Sequence, residues 1–366
     1  MLEKPLRIAF VTPEYPGCGP SFGIGRYVAD LATELAERGH SVRVLVAADD
    51  GCYTCTVGSP PQWRATACPH LILRPIACRS WLQREIQAFA PDIVDAPNWG
   101  GLSAVLTGPW ATVIRLSTSA GDPAFSRTNP LRWLSVTWER IAVHRATGVI
   151  ADSRAMAVVG ERLYGRPCDA VHLHAYRGTI AQLSPRREAV LFVGRLELRK
   201  GIDVLFKAWP AVRRALPNCE LHLVGRDLTN WSTRIPADCG IIYHGQLTDA
   251  ELQQLRSCCR VQVVPSRFES FGLVVLEAWA AGMAVVASRV GGLPEVMDGA
   301  GELVLPEQPE ELSAALLTAL DPIRAASLAA TGQQRLGAHF SATMWAEAAI
   351  AAYQSFSRSA KDYLLP

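Results

Sequence analysis

Short apolar runs alternate along the whole chain with stretches where apolar positions recur every three or four residues. In the first half the runs cover residues 6–11, 42–46, 93–95, 111–116 and 149–151. In the second half they cover 189–193, 220–224, 241–244, 261–264, 284–288 and 301–305. Runs this short, bounded by Gly, Pro and polar clusters, predict strands buried on both faces. Between them, Tyr27, Val28, Leu31, Ala32 and Leu35 keep helical spacing, and Gly39 follows the last turn. Asn129-Pro130 offers a cap and an N1 proline for a helix to about Arg145, and Ser153 opens another. Further helices are expected from Ile202, over 249–257, 273–281 and 309–320, and over 341–356. Strand–helix alternation of this kind predicts an α/β protein with parallel sheets.

The pattern lapses between Cys168 and Arg187, where His172, His174, Tyr176, Gly178 and Pro185 show little periodicity. A chain of 366 residues is long for one core. The expected division is therefore two domains, 1–180 and 181–345, joined near 176–187, with a tail at 346–366. His172 and His174 share one side of any strand, which reads as packing or hinge.

Composition narrows the function classes. Hydrophobic residues make up 49% and charged residues 19%, with net charge +2, which gives no whole-chain argument for nucleic acid. No apolar run approaches the ~20 residues of a membrane span, and the start, MLEKPLRIAFV, passes directly into a strand. The expectation is a cytoplasmic protein with at most peripheral membrane contact. Trp133, Trp138, Arg132, Arg140 and Arg145 could form a membrane-surface face, but Leu131, Leu134, Trp138, Ile141 and Ala142 make an ordinary core stripe. Ten cysteines suit a reducing compartment. Cys52, Cys55, Cys68 and His70 are zinc ligands by type. Their second pair is spaced too tightly for a typical knuckle, so the expectation is no metal.

The chemistry concentrates in residues 261–297, VQVVPSRFESFGLVVLEAWAAGMAVVASRVGGLPEVM. Pro265 and Ser266 stop a strand; Glu269, Ser270, Phe271 and Gly272 form a turn; a helix carries Glu277 and ends at Gly282. A Gly-bearing turn feeding a helix N-terminus offers free N–H groups and a positive dipole end, which suit phosphate. A second element repeats the theme. The strand at 189–193 runs into Gly194-Arg195-Leu196-Glu197-Leu198-Arg199-Lys200-Gly201 and a helix at Ile202. Positive charge at a helix start opposes the dipole, so it calls for an anion. In the first half, Gly19, Gly23 and Gly25 follow the opening strand without the G-x-G-x-x-G spacing of a dinucleotide fingerprint.

With Glu269 and Glu277 at E-x7-E spacing, Ser-Phe-Gly between them and Gly291-Gly292-Leu293-Pro294-Glu295 behind, the chain resembles the retaining nucleotide-sugar glycosyltransferases of family 4. The resemblance covers the whole chain and is strongest in the second half. It implies a GT-B fold: two Rossmann-like domains facing across a cleft, the final helix crossing back to the first. It implies that Arg195 and Lys200 grip the diphosphate and that Glu269 holds the transferred sugar with the backbone of Phe271, Gly272 and Leu273. Glu277 is then assigned to the donor ribose, and Gly194, Gly225, Arg226 and Gly245 to the nucleotide. Gly23 matches one of the family's loop glycines, with Phe22 where an adjacent glycine is usual. Loops behind the first-domain strands, with Asn98, Trp99, Arg115, Ser117 and Thr118, are acceptor-side candidates, because open parallel sheets bind ligands at strand C-termini. Ser117 stands where many members have histidine. No cofactor is implied beyond the nucleotide-sugar co-substrate; the other partner is an acceptor hydroxyl, and two side-chain cations do the work of a metal. A paired-carboxylate glycosidase would need its carboxyls about 5 Å apart, which the spacing does not establish. The competing readings are a GT-B enzyme that splits or rearranges a nucleotide sugar, an NAD(P) oxidoreductase, and a non-catalytic sugar- or nucleotide-binding protein.

Overall fold

The computed structural model describes residues 4–18, 23–65, 72–119, 132–227, 229–236 and 239–362, with backbone only for Arg132 and 359–362. The chain divides into two compact units, 1–174 with 342–366, and 175–341.

The first unit contains, in order, β1 (Arg7–Thr12), α1 (Gly23–Glu37), β2 (Ser41–Ala47), β3 (Cys52–Cys55), β4 (Gln62–Ala65), α2 (Arg74–Ala77), α3 (Arg79–Phe89), β5 (Ile93–Pro97), β6 (Ala111–Leu116), α4 (Arg132–Arg145), β7 (Gly148–Ala151), α5 (Arg154–Tyr164) and β8 (Ala170–Val171). Its sheet runs β4-β3-β2-β1-β5-β6-β7-β8, parallel except for the antiparallel β2–β3 and β3–β4 pairs. Residues 52–65 had no strand signal strong enough to separate them from a turn-rich loop. Tyr53 and Thr54 are good strand formers, and Gly58, Ser59 and Pro60 supply the turn between β3 and β4. The expected cap at Asn129 lies outside the described residues. Ser153 does cap α5, accepting from the Met156 N–H at 3.1 Å.

On α4 the buried face differs from the expected stripe. Ser135, Glu139, Ala142 and Val143 point inward, while Leu134, Trp138 and Ile141 are half-buried and Trp133 is exposed. Polar Glu139 is tolerated there because Ser119 Oγ and Tyr164 Oη donate to it at 2.7 and 2.8 Å.

The second unit contains β9 (Arg187–Val193), α6 (Ile202–Ala215), β10 (Glu220–Val224), β11 (Ile241–Tyr243), α7 (Asp249–Cys258), β12 (Cys259–Val264), α8 (Leu273–Ala280), β13 (Ala284–Ser288), α9 (Leu293–Met297), β14 (Glu302–Val304), α10 (Pro309–Leu320) and α11 (Pro322–His339). Its sheet is wholly parallel with order β11-β10-β9-β12-β13-β14. That is the doubly wound order, so its topological switch lies between β9 and β12. Val190, Phe192, Leu221, Leu223, Val261 and Val263 face Leu205 and Trp209 of α6 and Leu316 of α10, forming one core. The last helix, α12 (Ala342–Asp362), belongs to the first unit, burying Trp345, Ala346, Ala349 and Tyr353 against α1 and β6. No single described helix is long and apolar enough to cross a membrane; α10 and α11 together are, but they meet at 92°.

The division falls at 174/175 rather than 180/181. His174 stacks on Tyr27 at 4.9 Å in the first unit, whereas Tyr176 already bridges to Ser341 and donates its N–H to Phe340 at 3.1 Å. Residues 176–187 are likewise no free linker. Ala181 donates to the Ala280 carbonyl at 2.7 Å, and Arg186 donates to the carbonyls of Arg256, Cys259 and Ala281.

Candidate functional site

At the switch point of the second unit, the loops behind β9 and β12 are tied backbone to backbone. Gly201, at φ +70°, lies so close to the loop after β12 that a Cβ there would sit 1.8 Å from the Pro265 carbonyl oxygen. No other residue fits that crossing. Gly291, at φ +53°, makes the same approach to the Glu269 carbonyl, which also accepts from Gly292 N at 3.0 Å. Arg267 pins the two loops together. Its guanidinium forks onto Asp203 at 2.7 and 2.8 Å, and its N–H donates to the Arg199 carbonyl at 2.8 Å.

These ties place the charged residues. Lys200 Nζ meets Glu269 Oε1 at 2.5 Å, and Ser266 Oγ donates to the same oxygen at 2.7 Å. Glu197 Oε1 sits between Arg195 at 3.0 Å and Arg199 at 3.1 Å. Arg195, Lys200 and Glu269, far apart in sequence, thus share one neighbourhood. Three cations face two carboxylates there, leaving a surplus of positive charge. Both central groups carry its imprint. Burial raises the Glu269 carboxyl, but Lys200, Arg199 and the hydrogen bonds from Lys200 and Ser266 outweigh it and hold the group below its ordinary range. Burial lowers the Lys200 ammonium, and Arg199 and Arg195 add to that, so it too lies below its ordinary value despite Glu269. Lys200 still keeps 19% of its side chain accessible, against 10% for Glu269.

Helix α8 starts beside this cluster with Gly272 as its cap residue, at φ +101°. Phe271 is in the core against Phe340, so its backbone alone can serve a ligand. The first turn of α8 presents N–H groups and the positive end of its dipole. Glu277 accepts a hydrogen bond from Arg256, which is almost fully buried in α7. Gly194, Gly225 and Gly245 step along the C-terminal ends of β9, β10 and β11: Gly194 N donates to Val224 O at 2.9 Å and Gly225 N to Gly245 O at 2.8 Å. Arg226 is exposed, with its carbonyl accepting from Leu196 N at 2.9 Å.

The switch point of the first unit lies between β1 and β5, and it is built differently. Asn98 is fully buried: its amide donates to Tyr164 Oη at 2.9 Å and to the Thr118 carbonyl, and its Oδ1 accepts from Ser117 N at 3.1 Å. Arg115 is turned inward. It pairs with Asp95 at 2.8 Å and donates to Tyr353 Oη of α12 at 3.0 Å, and Tyr353 donates to Asp95 at 2.6 Å. Asn98 and Arg115 therefore hold the fold here, with burial at the strand ends keeping both side chains from solvent. The hydroxyls of Ser117 and Thr118 are buried without a partner, and Trp99 is half-buried. Gly23 begins α1 with open space around it.

Sequence reasoning missed Arg256, Ser266, Glu197, Arg199 and Arg267. Ser266 and Glu269, three apart behind a strand-ending proline, carried a readable signal. Arg256 carried none, because only the packing of α7 beside α8 brings it to Glu277.

Two family models match, one described as Glycosyl transferases group 1 over residues 187–322 and one as Glycosyltransferase Family 4 over 23–176. The chain is 35% identical over 347 residues to an uncharacterized glycosyltransferase of Methanocaldococcus jannaschii, covering 84% of this chain and 87% of that one. It is 28% identical over 397 residues to a glycogen synthase of Mycobacterium tuberculosis, covering 96% and 94%. Among solved structures it is similar to sucrose-phosphate synthase of Thermosynechococcus elongatus, with TM-score 0.80, 20% identity and coverage of 96% and 100%.

Proposed function

Because the chain belongs to the group 1 glycosyltransferases, with a GT-B fold, we propose that it moves a sugar from a nucleotide-diphosphate donor to an acceptor hydroxyl with retention at the anomeric carbon. The observation that carries this reading is the cationic cluster of Arg195, Arg199 and Lys200 around Glu197 and Glu269 at the switch point. A departing nucleoside diphosphate gathers negative charge as the glycosidic bond breaks. Fixed cations aimed at it stabilise the transition state more than the ground state. The same cations supply what a bound divalent ion would, so the proposed reaction needs no metal.

Glu269 acts as an acceptor of hydrogen bonds from the sugar. Its depressed carboxyl, already bonded by Lys200 and Ser266, holds no proton to give a leaving group, which separates it from a glycosidase acid. Glu277, oriented by Arg256, takes the ribose hydroxyls. With no side chain acting as nucleophile, the acceptor attacks from the face the diphosphate leaves, and the leaving phosphate oxygen takes its proton.

The test is NMR of the product's anomeric proton, after a thermal-shift screen of UDP-, GDP-, ADP- and TDP-sugars identifies the donor. An α-linked donor is expected to give an α product at an unchanged rate in EDTA. A β product would mean an inverting enzyme and end this reading.

A further inference from the structure

Two cysteine pairs in the first unit stand apart from the site just described. Cys18 and Cys55 bring their Sγ atoms to 3.6 Å, and Cys52 and Cys78 bring theirs to 3.7 Å. All four are buried free thiols, and their partners lie 37 and 26 residues away, so the tertiary fold creates both contacts. Cys52 and Cys55 share β3 at an odd separation, and strand alternation sends their side chains to opposite faces. The pairs are therefore separate, and one zinc ion cannot be held by Cys52 and Cys55 together. Among the described residues no group of three or more His, Cys, Asp or Glu is placed to hold a metal; Cys68 and His70 lie outside them.

We propose that each pair is a two-electron modification site that takes up a disulfide, Cys18–Cys55 and Cys52–Cys78, from a peroxide. One thiolate sulfur attacks a peroxide oxygen, the O–O bond breaks and one water leaves, giving a sulfenic acid. The partner sulfur then displaces the second water and the S–S bond forms. Each pair gives up two electrons and two protons, and the peroxide is reduced to two waters. In the first pair the contact lets one thiol donate to the other sulfur and so favour its thiolate as the attacker. Closure needs each pair to shorten to about 2 Å, which side-chain rotation can approach from these distances. A partner thiol already in contact intercepts the sulfenic acid before it oxidises further. Burial restricts the oxidant to a small one and slows the reaction relative to an exposed thiol.

The two bridges would fasten different things to β3. Cys18 lies in the loop behind β1, whose Glu14 accepts from Gly25 N in the first turn of α1 at 3.4 Å. Cys78 sits between α2 and α3. The first bridge thus anchors the approach to α1, and the second anchors the helical turn on the far side of β3.

The experiment treats the reduced full-length chain with hydrogen peroxide, blocks remaining thiols, and maps peptides by mass spectrometry beside a denatured thiol titration. The expected result is loss of four of the ten thiols, recovery of all with dithiothreitol, and peptides joined as 18–55 and 52–78. Cys18→Ser should lose two thiols and keep the 52–78 link, and Cys78→Ser should keep the 18–55 link. Ten thiols surviving, links between other positions, or conversion to sulfinic acid without bridges would each overturn the proposal. The parent chain's map decides this even where a serine variant folds poorly.

Discussion

The two switch points occupy the same topological position in two sheets, yet they spend their polar groups in opposite ways. Behind β9 and β12, charged side chains reach the ends of the strands and are held with a surplus of positive charge. Beside the first unit's switch point, Asp95 of β5 and Arg115 of β6 are turned inward and paired, and behind β6 the hydroxyls of Ser117 and Thr118 are buried without a partner. The comparison shows that a shared fold does not distribute chemistry evenly. On the proposed reading, one half presents charge to an anion and the other uses its ion pair to hold the unit together, with Ser117 and Thr118 as the remaining acceptor-side candidates.

The sharpest way to break this contrast is Arg115→Ala. If the pair is structural, removing one partner strands a buried Asp95, and stability should fall by about 3–5 kcal/mol, measured by denaturant unfolding. A stable variant with lost activity would instead return Arg115 to the ligand side. Next in size are Arg195→Ala and Lys200→Ala, which should lower kcat by roughly 10²-fold or more. Arg195→Ala should change the melting temperature little, whereas Lys200→Ala strands the buried Glu269 and should lower it as well. Near parental turnover in both would remove the diphosphate role.

A smaller effect concerns pH. The neutral amine of Lys200 cannot hold a phosphate, and its value is depressed by burial first and by Arg199 and Arg195 besides. Donor kcat/KM should therefore decline on the alkaline side with a midpoint below the ordinary lysine value of about 10.4. Lys200→Arg should move that decline to higher pH; a profile identical in both proteins would dissociate it from Lys200. The smallest expected effect is Ser117→Ala. An unpartnered hydroxyl contributes little to folding, so stability should stay within about 0.5 kcal/mol. Acceptor KM should rise several-fold, as loss of about 1 kcal/mol of hydrogen bonding implies. A change in donor KM instead would place the hydroxyl on the wrong side of the comparison.

The second unit was the more legible one because its information is local. Apolar strands ending in glycine, with Arg195, Lys200 and Glu269 immediately behind them, state both the fold and its charged groups within a few residues. The first unit depends on contacts that are long in sequence. Nothing near Arg115 says that Tyr353 will meet it, and nothing near Asn98 announces Tyr164, so the burial of both side chains is not legible in the local sequence. The hairpin of β3 and β4 was hidden for another reason. Its strands are four residues each, and β4 at the sheet edge is exposed apart from half-buried Ala65, so no apolar pattern marks it.

The return of α12 to the first unit has a consequence for how the chain comes into being. Synthesis runs from the N-terminus, and domains ordinarily fold as they emerge. Here Asp95 and Arg115 are made early, but the hydroxyl that joins them arrives with Tyr353, 238 residues after Arg115. Residues 175–341 are complete before that and can bury their own core. The half encoded first is thus the half finished last, and until α12 docks it exposes the surface of α1 and β6 that the helix will cover.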